Sequence, residues 1–111
     1  MKTLVVQLAN GQLAVAVTPV SAMLSMKLVA KALGAKNASM AARDDVEHST
    51  GYVLGGVSPL GQKKALKTVI DVSAENHPTV YVSAGRRALE IELNPDSLLE
   101  LVRGVFAGIC Q

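Results

Sequence analysis

Residues 49–64, STGYVLGGVSPLGQKK, decide how the rest of this chain is read. Gly51, Gly55, Gly56 and Gly61 fall there together, with Pro59 and the small hydroxyl residues Ser49, Thr50 and Ser58. Ordering such a run is entropically costly, because glycine loses more backbone freedom than any other residue. A folded chain tolerates that cost where backbone must lie close to another segment or to a ligand. Lys63 and Lys64 follow at once and point first to an anionic ligand.

The chain of 111 residues has room for one core, so residues 1–111 are read as a single domain. Half the residues are hydrophobic and only Tyr52, Tyr81 and Phe106 are aromatic, which predicts a finely packed aliphatic core. Eleven basic against nine acidic residues leave a net charge of +2. That is too little to argue for nucleic acid without a clustered basic face. Local clusters do occur at Lys63–Lys64 with Lys67 and at Arg86–Arg87, and ordinary solvated turns explain them equally well.

Cys110 is the single cysteine. It has no internal disulfide partner and suits a reducing compartment, and its place in the last turn favours a structural role. The opening MKTLVVQLANGQL does not form a signal peptide, since Gln7 and Asn10–Gly11 interrupt its apolar run. No apolar stretch approaches the ~20 residues a membrane span needs. A soluble cytoplasmic domain with no membrane partner is expected. Asp44 and His48 share a helical face, but no third ligand accompanies them, and His77 precedes Pro78 in a polar turn. Neither a metal nor a cofactor is expected.

Outward from the glycine segment, Lys2–Leu8 and Gln12–Val17 read as strands joined by an Asn10–Gly11 turn, hence an antiparallel hairpin. Ser25 caps a helix whose apolar positions are Met26, Val29, Ala30 and Leu33, and Gly34 stops it. Ala41–His48 reads as a second short helix. Lys67–Ser73, Thr79–Ser83 and Ala88–Leu93 read as strands. The last alternates strictly, predicting one buried face and another that presents Glu90 and Glu92. Asn94 as N-cap and Pro95 at the first position open a C-terminal helix with an apolar stripe of Leu98, Leu101, Val102, Val105 and Phe106, ended by Gly108. No βαβ rhythm repeats. The fold class is α+β, with a curved mixed, largely antiparallel sheet or partly open barrel flanked by helices.

The chemistry available is narrow. There is no GxSxG elbow, no recognisable Cys–His pairing and no metal-ligand cluster. Gly56 to Gly61 has the glycine spacing of a phosphate loop, but Gln62 stands where its lysine belongs. GYVLGG is not a dinucleotide fingerprint. What remains is a backbone-lined pocket near Gly55–Ser58, with small hydroxyls and a lysine, suited to holding an anion or polarising a carbonyl.

STGYVLGGVSPLGQKK followed by KTVIDVSA and YVSAGRRALEIEL closely resembles the YbaK/EbsC family of aminoacyl-tRNA deacylases, relatives of the editing domain of prolyl-tRNA synthetases. KTLVV, LAVAVTP and LVAKALGAK match in the same order, so the resemblance covers nearly the whole chain and is nearest the Cys-tRNA(Pro) branch. It implies that Lys2 holds the phosphate or ribose of the terminal adenosine. It implies a catalytic loop at Gly55 and Gly56, with Val57, Ser58 and Pro59 lining the aminoacyl pocket. Ser83 stands for the serine of the Y-V-S strand end. Glu90 replaces the usual aspartate, and Ala84–Gly85 replaces a glycine pair, so both reshape the pocket. Lys63, Lys64, Arg86 and Arg87 are then candidate tRNA contacts.

In that branch the substrate's own thiol attacks its ester, so the protein need only position the ester and stabilise oxyanion charge. A second pocket is useful because binding alone separates near-isosteric amino acids poorly. The implied partners are a mischarged tRNA, proline tRNA first, and prolyl-tRNA synthetase. Family members carry a further helix and strand before the K-T-L strand, whereas this sequence starts at Met1-Lys2. Sheet surface is therefore expected to be exposed, with self-association into a homo-oligomer as one way of covering it. The competing reading is a non-catalytic relative that binds RNA or protein; a weaker third is a nucleotide-binding protein.

Overall fold

Alternation in KTLVVQL and LAVAVT gives each strand one apolar face for each side of a sheet. In the computed structural model, which describes residues 1–111, these segments are β1 (Lys2–Leu8) and β2 (Leu13–Thr18). They pair antiparallel from Lys2↔Thr18 to Gln7↔Leu13. The Gln12 N–H donates to Asn10 Oδ1 at 2.9 Å, and Gly11 takes a positive φ to close the hairpin. Helix α1 (Met26–Ala32) begins where Ser25 Oγ accepts from the Leu28 N–H. Met26 packs against the core, whereas Met23 is exposed.

A short strand that the sequence reading missed, β3 (Ala38–Met40), pairs antiparallel with β1. Helix α2 then runs Arg43–Thr50, two residues later than expected at each end. Strand β4 (Lys67–Asp71) passes into a 3-10 turn over Val72–Asn76, so the expected strand to Ser73 stops early. Asp71 ends it by capping that turn. Strands β5 (Val80–Arg86) and β6 (Leu89–Leu93) form a separate antiparallel ribbon.

Helix α3 (Pro95–Val102) is capped by Asn94 Oδ1, which accepts from the Ser97 N–H at 2.8 Å. It does not continue through the expected Val105 and Phe106. Arg103 turns left-handed at φ 50°, and Val105–Ala107 become β7, paired parallel with β4. A β-branched Val105 beside Gly104 favours leaving the helix. The five-stranded sheet has the order β3-β1-β2-β4-β7. Its β1–β2 and β1–β3 pairs are antiparallel and its β2–β4 and β4–β7 pairs parallel, so the sheet is mixed and open.

The two faces carry separate cores. Val6, Leu8, Ala14, Ala16 and Val69 pack with Val29 of α1 and with Ile109. Val15, Val17 and Ile70 pack with Leu98 of α3 and with Val80 and Val82 of the ribbon. Toward α2, the second face continues as Val5 against Val46 and Val57. The alternation in β6 is therefore only partly used. Leu93 joins the core, but Leu89 and Ile91 stay 45% and 41% exposed because nothing covers that end of the ribbon. No helix is long and apolar enough to cross a membrane.

Asp71 ties the chain end to the sheet. It is buried, and its Oδ1 accepts from the Ile109 N–H at 3.1 Å, while Oδ2 accepts from the N–H and hydroxyl of Ser73. Burial alone would raise its pKa. Hydrogen bonds from the Ser73 hydroxyl, the Ile109 and Ser73 N–H groups and the Cys110 thiol outweigh it, and hold the carboxyl below its ordinary 3.8. The same contact, after burial, pushes the Cys110 thiol upward, away from the reactive thiolate. A carboxyl lowered on folding contributes stability that is present above its unfolded pKa and lost as pH falls through the folded value. Acid unfolding should steepen below pH 3.8. Asp71→Asn should cost about 1–3 kcal/mol at pH 7 and flatten that acid limb, as read by urea melts at pH 7 and pH 3.

Candidate active site

The glycine segment is a closed loop. Its two ends meet where the Lys63 and Lys64 N–H groups donate to Thr50 and Ser49 carbonyls, each at 3.0 Å. Tyr52 spans the interior and donates its hydroxyl to the Leu60 carbonyl at 2.6 Å. Ser58 is buried, and its Oγ accepts from the Leu60 N–H at 3.1 Å while its carbonyl accepts from Gln62. The Gly56 N–H donates to the Val53 carbonyl at 2.9 Å. No such partner takes the Gly55 N–H.

Close approach explains the glycines. A Cβ on Gly85, which sits at φ 103° in the β5–β6 turn, would lie 2.7 Å from the Tyr52 ring. A Cβ on Gly56 would lie 3.3 Å from Arg86 Cα, and one on Gly55 3.0 Å from Arg87 Nε. The loop and the ribbon's turn are thus packed back to back. Ala88, beside them, is left-handed at φ 62° without being glycine, a strain of about 1–3 kcal/mol of the kind found at ligand sites.

Between this pair and β1 lies a cleft of about 540 Å³. Thr3 and Val5 of β1, Val46 of α2, Gly55 and Val57 of the loop, and Ser83 and Glu90 of the ribbon line it. Ser83 and Glu90 are cross-strand partners, and Ser83 Oγ accepts from the Gly85 N–H at 3.2 Å. Neither histidine nor cysteine is among the lining residues, and no group of three potential metal ligands exists in the chain.

Most of the expected site residues converge here: Lys2, Gly55, Val57, Ser83 and Glu90, with Arg86 and Arg87 at the rim. Others do not. Gly56, Ser58 and Pro59 shape the loop without lining the cleft, and Lys63 and Lys64 lie away from it. Lys2 reaches it at the strand's start, and its ammonium donates to the carbonyl of Ala22, a residue that does not line the cleft, at 2.9 Å. Lys2 and Thr3 project to opposite faces of the strand, and both border the cleft, as Leu4 does. Thr3 is the residue the sequence reading overlooked. Its Oγ1 is enclosed and has no hydrogen-bond partner. The signal was available in the period of two, which places Thr3 with Val5 on the face opposite Lys2. Tyr52 was also overlooked, and its place among four glycines was the clue.

Fold and cleft together define an α+β domain whose binding pocket is built from loop backbone and short polar side chains. Residues 1–101 match the model of the aminoacyl-tRNA editing domain, and the chain belongs to that family. It is 43% identical over 95 residues to the Enterococcus faecalis protein named "Putative Cys-tRNA(Pro)/Cys-tRNA(Cys) deacylase EbsC". That match covers 86% of this chain and 58% of the relative, so the chain spans little more than half of that protein's length. Among solved structures, one described as a "putative trans-editing enzyme for prolyl tRNA synthetase" superposes with a TM-score of 0.91 at 23% identity, covering 99% of this chain and 69% of that one. The "hypothetical protein APE2540" superposes with a TM-score of 0.89 at 27% identity, covering 99% and 73%. These likenesses bear out the expected α+β fold.

The unpartnered Thr3 hydroxyl is a stability cost in the ligand-free protein. Thr3→Val, nearly isosteric, should therefore stabilise by about 1 kcal/mol in urea melts. A loss of stability would show that the hydroxyl is already satisfied.

Proposed function

We propose that this chain hydrolyses the ester of mischarged aminoacyl-tRNA in trans, with cysteine on proline tRNA as its first substrate. One observation carries the reading: three separated segments, the K-T strand, the G-G loop and the Y-V-S strand with Glu90, converge on one cleft. The cleft is lined without histidine or cysteine, which suits a reaction whose nucleophile comes with the substrate.

The proposed step is intramolecular. The substrate sulfur bonds to its own carbonyl carbon, the C–O bond to the ribose breaks, and the thiol proton ends on the ribose oxygen. Water then opens the released thiolactone. The Gly55 N–H stabilises the oxyanion, a role supported by the Gly56 N–H being the one that donates within the loop. Glu90 holds the substrate ammonium, Ser83 supplies a short polar contact, and Val5, Val46 and Val57 enclose a small side chain. The longer glutamate, in place of aspartate, narrows the pocket toward such a residue. Lys2, with N–H bonds to spare beyond the one to Ala22, contacts the terminal phosphate or ribose.

The partners are a mischarged tRNA, proline tRNA first, and prolyl-tRNA synthetase as its source, in the cytoplasm where charged tRNA is met. Self-association has exposed apolar residues to use, Val53, Leu54 and Leu89 around the cleft and Met40 and Val105 on the edge strands of the sheet among them. Antiparallel pairing of two β6 edges about Ile91 would set Glu90 against the partner's Glu92, a like-charge contact that disfavours it.

The test is deacylation of Cys-tRNA(Pro) and Ala-tRNA(Pro) by the native chain and by Lys2→Ala. The cysteine ester should be cleaved well above the buffer rate and the alanine ester, which has no thiol, should not. Losing one charge-assisted hydrogen bond of roughly 1.5–3 kcal/mol should slow Lys2→Ala about tenfold to a hundredfold. Cleavage of neither ester above buffer would overturn the reading. Retained tRNA binding alongside that failure would favour a non-catalytic binding module.

A further inference from the structure

The side-chain charges of the first cleft are unequal: Lys2, Arg86 and Arg87 line it, against the single carboxylate of Glu90. An aminoacyl group brings one ammonium for Glu90 and a neutral carbonyl, which leaves a guanidinium unanswered. Two features single out Arg87. Its guanidinium lies against Gly55, where a Cβ would meet Nε at 3.0 Å and Nη2 at 3.2 Å. The missing side chain at 55 is what lets the cation come so near an N–H that no loop carbonyl takes. Arg87 and Ala88 also form the turn between the paired Arg86 and Leu89, and Ala88 holds it at a left-handed φ of 62° that favours glycine.

The chemistry at Gly55 says what would answer that cation. In the deacylase reading the Gly55 N–H faces the carbonyl oxygen, so the carbonyl carbon of a bound aminoacyl group lies beside it. When water opens the thiolactone, its oxygen bonds to that carbon and the C–S bond breaks. Sulfur takes one proton, the other leaves to solvent, and a carboxylate remains. Ester and thiolactone carry only partial charge at this point, whereas the acid carries a full one. A guanidinium binds a carboxylate through two parallel N–H bonds, and a neutral carbonyl more weakly.

We propose that Arg87 is the anion-recognising group of this cleft: its guanidinium, with the Gly55 N–H, holds the carboxylate of a free α-amino acid whose ammonium lies at Glu90. The cleft then binds the released acid more tightly than an uncharged carbonyl derivative, and the acid competes with the next substrate. The inference rests on the deacylase reading for placing the carbonyl end at Gly55. A second cleft, of about 600 Å³, lies between the tip of the β1–β2 hairpin, helix α2 and the start of β4. It holds Lys67 and shares no lining residue with the first, so Lys67→Gln removes the same charge away from the site.

The experiment is calorimetric titration with L-2-aminobutyrate, in which a methyl replaces the thiol of cysteine, and with its amide, which lacks the carboxylate charge. Both are titrated at about pH 6, below the ordinary α-amino pKa. The native chain should bind the acid about tenfold more tightly than the amide, the effect of one charge-assisted pair discounted for its exposure. Arg87→Gln should bring the acid down to the affinity of the amide, Arg87→Lys should recover part of the difference, and Lys67→Gln should match the native chain. No saturable binding of the acid, no preference for it in the native chain, or a preference kept in Arg87→Gln would each overturn the proposal. So would an equal loss for acid and amide in that variant, which marks a structural role. Neither ligand carries an ester, so these titrations test Arg87 while cleavage of Cys-tRNA(Pro) tests the deacylase reading, and either can fail alone.

Discussion

Tyr52 packed against Gly85 is the contact on which this protein's cleft depends. The ring fills space that any side chain at position 85 would occupy, and its hydroxyl pins the far side of the loop at Leu60. Gly56 against the Arg86 backbone and Gly55 beneath the Arg87 guanidinium extend the same seam. Loop and ribbon belong to different parts of the chain and share no strand pairing. Their packing is what brings Gly55, Ser83 and Glu90 to one cavity. The glycines of residues 49–64 therefore serve approach of backbone to backbone first, and only through it approach to a ligand.

The sheet supplies the rest of the placement. Strand β1 divides its side chains between a face packed under α1 at Val6 and Leu8 and a face that is apolar at Val5 but polar at Thr3 and Gln7. That second face carries two clefts of different character. One is enclosed by valines, with a few convergent polar groups, as small-ligand sites are. The other is open and cationic.

Much of this was legible in the sequence, for physical reasons that differ by element. The β1–β2 hairpin and the caps at Ser25 and Asn94 are local devices, and the structure has them where their residues stand. The C-terminal stripe misled because Val105 and Phe106 fit a helix period equally well as a strand. Only pairing with β4, a long-range contact, makes them β7. The β6 alternation misled in another way, since period two predicts which residues share a face but not whether anything covers it. In the site, the ordered motifs belong to segments that meet at one cleft. They could not show that the Lys2 ammonium is held by the Ala22 carbonyl or that the Thr3 hydroxyl is enclosed without a partner.

Amide hydrogen exchange in Tyr52→Leu tests the central claim most directly, because it reads the loop and the sheet separately. With the Tyr52 seam removed, the Gly56, Leu60 and Lys63 amides should lose protection together, while β1, β2 and β4 amides keep theirs. Protection at those three amides equal to the native chain would contradict the account, since the loop would then hold its shape without the ribbon's turn.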